Sequence, residues 1–227
     1  MTIIAARTTA AAVTLETHDL RDLGGSKGRA GQTVRWHRLY RSDGLVRASR
    51  RDLTALADLG LRTVVDLRTE REARAEPLGV LPGALVELHR LPMRARPLGA
   101  ATDPAALTAQ HLELLVQGAP AIVDALDLFA QPGAYPILLH SADGDDRVAV
   151  VVAVVLALLG VHHEEVAYGA AGAPREARTD ARTDARADAR YRMLVEVRER
   201  CGSMVGFARG IGVPFETIEG VHRALLE

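Results

Sequence analysis

The chain has 227 residues, of which 48% are hydrophobic and 25% charged, with a formal net charge of -1. That length suits one domain with a substantial core, and the composition is that of an ordinary globular protein. A near-neutral chain lacks the basic stripe of a general nucleic-acid binder, so that class of partner is set aside.

Lys27 is the only lysine, and the bias towards arginine and alanine reads as codon drift in a GC-rich bacterial genome. Cys201 is the only cysteine, which rules out an internal disulfide and gives no reason to place the protein outside the cytoplasm. The apolar patch at Thr2–Ala6 is interrupted by Arg7 and makes a poor signal peptide. The most apolar run, Val148–Leu159, is 12 residues long, against the ~20 needed to cross a bilayer. It predicts a buried core helix and no stable membrane insertion, so a cytoplasmic protein is expected.

In chain order, Thr33–Tyr40 has the β-branched and aromatic content of a strand. Ser49–Leu59 carries Leu53, Leu56 and Leu59 at helical spacing, with Gly60 placed to end the helix. Thr63–Leu67 predicts a buried strand that runs into a charged cluster of Asp66, Arg68, Glu70 and Glu72. Leu85–Leu91 predicts a further strand, and Pro104–Ala130 a helical stretch broken at Gly118 and Pro120. Tyr135–His140 predicts a short apolar strand, followed after one loop by the helix at Val148–Leu159. Strands alternating with helices imply an α/β fold with a central, mostly parallel sheet flanked by helices.

Residues 174–192 form a low-complexity helical or lid segment within this single domain. Its core is Ala-Arg-Thr-Asp twice, then Ala-Arg-Ala-Asp-Ala-Arg. A period of four on a helix gathers Arg178, Arg182, Arg186 and Arg190 into one stripe, with Asp180, Asp184 and Asp188 roughly opposite. A solvated, alanine-rich helix is the favoured reading, and a lid offering arginines to an anionic ligand is the alternative. Tyr191–Glu227 predicts two short helices split by the glycines at 202, 206, 210 and 212. His162, His163, Glu164 and Glu165 read as an exposed loop, since adjacent histidines do not readily face one ion and no spaced ligand completes a set.

The chemistry concentrates at 140–147. The strand Ile137-Leu-Leu-His140 runs into Ser141-Ala-Asp-Gly-Asp-Asp-Arg147, where the helix begins. A tight turn feeding a helix N-terminus points backbone N–H groups inward, and the helix dipole adds positive potential. Ser141, Ala142, Asp143, Gly144, Asp145, Asp146 and Arg147 thus form a candidate anion cradle. Gly144 eases the turn, and the planar fork of Arg147 suits two oxygens of a phosphate.

This loop resembles that of the cysteine-dependent tyrosine and dual-specificity phosphatases, which carry His-Cys, five residues and Arg. Gly144 and Asp146 match a variant found in bacterial tyrosine phosphatases with dual or phosphoinositide specificity, and Asp143-Gly144 echoes the myotubularin loop. Arg21-Asp-Leu-Gly-Gly25, Arg38-Leu-Tyr-Arg-Ser-Asp43, the strand ending Asp66-Leu-Arg68 and Gly202-Ser-Met-Val-Gly-Phe207 agree with further family landmarks in order and spacing. The resemblance implies a phosphatase-like fold and chemistry that uses no metal or other cofactor. It implies phosphomonoester ligands: a phosphorylated small molecule, a phosphoinositide or a phosphoprotein. In the family a cysteine thiolate attacks phosphorus, and an aspartate protonates the leaving oxygen. By position the candidate acids are Asp66 and Asp146; alternatively Asp66 pairs with Arg68 or Arg41, and Asp146 braces the loop. His140 is implied to orient the loop from below.

The departure is Ser141, at the position of the nucleophile. A hydroxyl is not ionised as a thiol of pKa ~8.5 is, and it needs a neighbouring base. Cys201 lies outside the loop and reads as a half-buried structural thiol. Asp145 stands where the close variant has Lys, Val148 where the family has Ser or Thr, and Ala149 where Gly is usual. A substrate-trapping substitution would need one change, so the several departures favour natural divergence. Three readings follow: a phosphatase active in its cysteine form with hydrolysis impaired by Ser141, a pseudophosphatase that binds a phosphorylated partner, or an enzyme repurposed for other chemistry, such as a biosynthetic step. Arg94 and Arg96, in the loop from Arg90 to Ala101, are placed to help choose the ligand.

Overall fold

The computed structural model describes residues 20–42, 44–45, 48–78, 86–94, 103–142, 146–169 and 181–227, with side chains in the last stretch from 184 onward. Five strands form one sheet: β1 (Arg21–Asp22), β2 (Leu39–Ser42), β3 (Thr63–Asp66), β4 (Glu87–Arg90) and β5 (Ile137–His140). Their order is β1-β2-β5-β3-β4, with β1 antiparallel to β2 and the other pairings parallel. The α/β architecture matches the expectation from alternating elements. β2 begins six residues later than predicted, because Thr33 and Val34 make only isolated bridges. Residues 36–38 turn instead: His37 has φ 60, and the Trp36 ring covers Gly25, where a Cβ would come within 2.2 Å of it.

The central strands are buried on both faces, as parallel strands between helices must be. Tyr40, Val64 and Leu138 join a smaller cluster with Leu56 and Leu61. Leu39, Val65, Ile137 and Leu139 point the other way into the main core. The alternation of neighbours along each strand produces this division.

Several helices have a sequence-level start signal or a reason for their end. α1 (Arg50–Asp58) and α2 (Glu70–Ala75) both open with capping boxes, Ser49 with Asp52 and Thr69 with Glu72. Gly60, at φ +63, follows the last turn of α1. Asp103 caps α3 (Pro104–Gln117), with Pro104 in its first turn. Gly118 separates α3 from α4 (Ala119–Phe129), which is the predicted break. α5 (Arg147–Leu158) follows β5 directly after the loop. His163 opens α6 (His163–Gly169), so the predicted loop there is the start of a helix. No three His, Cys, Asp or Glu residues cluster to hold a metal among the described residues.

α7 (Ala181–Cys201) carries the second half of the repeat and runs on through Tyr191 for 21 residues. It corrects the prediction that a separate helix starts near 191. α8 (Met204–Gly210) and α9 (Phe215–Leu225) follow, separated by Gly212 at φ +99. Cys201 is exposed rather than half-buried, because α7 ends there in solvent. No described helix is long and apolar enough to cross a membrane.

Candidate phosphate-binding site

The parallel registers place Ser42, His140 and Asp66 side by side at the carboxyl ends of β2, β5 and β3. Ligands of α/β sheets bind at this edge. Ser141 and Ala142 leave β5 here, and Asp146 and Arg147 re-enter structure as the cap and first residue of α5. Asp143, Gly144 and Asp145 lie outside the described residues, as do Asp43 and Arg96. Gly44 packs against the start of the loop: a Cβ there would sit 2.3 Å from the Ala142 carbonyl oxygen and 3.1 Å from that of Ser141. Only glycine lets these two backbones come so close.

Arg147 is 5% exposed. It donates to both carboxylate oxygens of Glu72, at 2.7 and 2.9 Å, and to the Met93 carbonyl at 3.4 Å. Glu72 also accepts from the Thr69 amide and hydroxyl, each at 2.7 Å. Its partial burial would raise its pKa, but the hydrogen bonds from Arg147 and Thr69 outweigh that and push it down to about 2. One carboxylate therefore caps α2 and fixes the arginine fork at the loop.

The two candidate acids are both engaged elsewhere. Asp66 is 1% exposed and accepts from the Arg68 side chain at 2.9, 3.2 and 2.8 Å, so of its alternative partners it takes Arg68. Burial favours its neutral form, yet the Arg68 bonds and the nearby His140 ring hold it below the usual carboxylate range. Asp146 Oδ1 lies 3.3 Å from His111 Nε2 and 3.6 Å from Arg186 Nε. Against the effect of burial, His111 and the charges of Arg186 and Arg190 lower its pKa as well. His140 is fully buried, with Nε2 3.6 Å from Asp66 Oδ1. Burial pushes its pKa down to about 4, helped by the charges of Arg68 and Arg147 and opposed by Asp66.

Sequence reasoning placed Ser141, Arg147 and His140 at one edge, where the structure has them. It missed Glu72, His111, Arg186 and Gly44 as their partners. The signal for Glu72 was present, since Thr69 followed three residues later by Glu72 is a capping-box pattern just after the β3 edge. A cap says where a carboxylate sits, not what its other side touches.

A mostly parallel sheet with an arginine at the start of the helix beyond its carboxyl edge frames the candidate site. The model of the tyrosine phosphatase family matches residues 14–227, and the chain belongs to that family. It is 33% identical over 159 residues to a presumed tyrosine-protein phosphatase of Cupriavidus necator. That match covers 64% of this chain and 56% of the relative, so the chain accounts for little more than half of it. Among solved structures it is similar to the core catalytic domain of the PP-IP phosphatase SIW14 from S. cerevisiae, at 17% identity and TM-score 0.39, covering 65% of this chain and 78% of that one. TpbA of P. aeruginosa with a Cys-to-Ser substitution, in complex with pTyr, gives 22% and 0.35 over 71% and 89%. Kinase associated phosphatase with its catalytic-site cysteine replaced by serine gives 17% and 0.43 over 80% and 95%.

Proposed function

We propose that this tyrosine phosphatase family protein binds phosphomonoesters in the loop of residues 140–147 and that Ser141 impairs their hydrolysis. The observation that carries this reading is that both candidate acids, Asp66 and Asp146, are already committed. Arg147 is pre-aligned by Glu72 and can share its fork with a phosphate, while Ser141, Ala142 and the amides opening α5 supply the backbone side of the cradle. Asp143, Gly144 and Asp145 complete the cradle in this proposal.

Turnover needs a nucleophile and a proton donor, and neither is favoured. His140 adjoins Ser141, but with a pKa near 4 it is a weak acceptor for a serine proton at neutral pH. Asp66 and Asp146 are held ionised by Arg68, and by His111 and Arg186, so each acts as a brace rather than as an acid. His140 orients the loop from the end of β5. Val148 and Ala149, both fully buried in the first turn of α5, bring no hydroxyl to assist hydrolysis. The protein so proposed is a bacterial, cytoplasmic pseudophosphatase, with a phosphorylated small molecule, phosphoinositide or phosphoprotein as its ligand. The single exposed cysteine fits the cytoplasm.

The test is phosphate release from a generic aryl phosphate by the protein and by Ser141→Cys, beside a vanadate titration of both. Expected are vanadate binding by both forms and faster release by the cysteine form. Turnover by the Ser141 protein at ordinary enzymatic rates, on the order of 1–10³ per second, would overturn the impairment. Failure of both forms to bind vanadate would overturn the cradle.

A further inference from the structure

The arginine–aspartate repeat is not used by the function proposed above. In the described part of α7 the aspartates face solvent, as on a solvated helix, but the arginines at 186 and 190 turn inward. Asp184 and Asp188 are exposed, Ala187 and Ala189 are fully buried, and Arg190 is 2% exposed and donates to the Ala167 carbonyl at 3.2 Å. One turn earlier on the same stripe, Arg186 approaches Asp146, with both side chains only 15% exposed.

Asp146 caps α5, yet its side chain makes no bond to that helix. It turns to α3 and α7 instead, where His111 and Arg186 meet the same carboxylate oxygen. The next residue, Arg147, leaves in another direction to Glu72 on α2 and the Met93 carbonyl. Two consecutive residues at the end of the loop are thus held by different elements.

We infer that Arg186 is a positioning residue for the phosphate loop: through Asp146, the repeat helix fixes one side of the loop's end while Glu72 fixes the other. The repeat thereby sets the affinity of an anion site without supplying a ligand group to it. A cradle made of backbone N–H groups binds well only when those groups are held in place beforehand. This inference rests on the phosphate-binding reading of the loop.

Two readouts separate them. The first is hydrogen exchange at the Val150 amide, which donates to the Asp146 carbonyl at 2.9 Å and so reports the cap directly. The second is vanadate affinity. Arg186→Ala is expected to speed Val150 exchange and to weaken vanadate by about fivefold or more, the low end of ordinary site-to-site coupling. Arg186→Lys is expected to recover part of both effects. Asp146→Asn is expected to match Arg186→Ala, with the double variant no worse than either single one, as for two members of one contact. Arg192→Ala, an exposed arginine on the same helix, is expected to change neither.

Unchanged Val150 exchange in Arg186→Ala, or additive losses in the double variant, would overturn the inference. If the parent protein binds no vanadate but Arg186→Ala still speeds Val150 exchange, the phosphate reading falls and the brace stands. Should Arg186→Ala fold poorly by thermal unfolding, Arg186→Gln keeps most of the stem and gives the same decision.

Discussion

Helix α5 arrives at the loop wrapped in apolar side chains, whereas α7 arrives with alanine and arginine. All of Val148, Val150, Val151, Val152, Val154, Val155, Leu156 and Leu158 on α5 are buried. On α7 the first apolar side chains larger than alanine to be buried are Met193 and Leu194, beyond the repeat. Fully burying a valine or leucine contributes ~1.5–3 kcal/mol, while an ion pair such as Arg186–Asp146, still partly in contact with water, contributes ~1 kcal/mol or less. Burial therefore sets where α5 lies, and the repeat half of α7 adds orientation at little gain in stability. The lesson is that the element most apolar in sequence anchors the site, while the element that looks like filler aligns it.

The sharpest way to break this division is at Arg147, where α5 begins. Arg147→Ala is expected to lower vanadate affinity by about a hundredfold or more, since it removes the buried partner of the anion and leaves Glu72 uncompensated. Equal titration curves for the two proteins would show that the loop is no anion cradle. Next in size is Leu158→Ala, which empties a site 3% exposed in the main core. A loss of ~2–5 kcal/mol is expected in urea unfolding, and a loss under ~1 kcal/mol would mean that α5 is not held by burial.

Acid provides a graded test. The His140 pKa falls from 6.5 to about 4 on folding, so the unfolded chain takes up this proton first. Its contribution to stability is present above about 6.5 and is lost as pH falls towards 4, with a slope of at most ~1.4 kcal/mol per pH unit. Glu72, lowered from 4.5 to about 2, has the same sign and adds its loss between those values. Urea midpoints measured from pH 7 to 4 should decline, and His140→Gln should flatten that decline. An unaltered slope would place the titration elsewhere. The smallest effect is expected at Asp184→Ala on the outward face of α7, within about ±0.5 kcal/mol. A larger change in thermal unfolding would make both faces of the repeat structural.

Much of this arrangement was legible from residues alone. The apolar strand, the loop and Arg147 lie together because they are contiguous, and local sequence carries that information. The four-residue period located the arginine stripe of α7, but a helix without large apolar residues gives no hydrophobic direction. The solvated reading of the repeat accordingly did not show that Arg186 and Arg190 turn inward. Thr33–Tyr40 misled for the converse reason: Trp36 supplies strand-like composition and spends it covering Gly24 and Gly25. Glu72 and His111 were hidden by distance, lying 75 and 35 residues from their partners in the loop.

The contact of Gly44 with the Ala142 carbonyl has a use in reading other sequences. The residue at 141 reports on chemistry, whereas position 44 reports on whether the backbone beneath it can adopt this geometry at all. A relative with cysteine in the loop but a bulkier residue at 44 must build its floor differently, and a relative with serine and glycine retains the same floor. Sorting family members by position 44 first, and by the nucleophile second, would separate lost catalysis from a lost pocket.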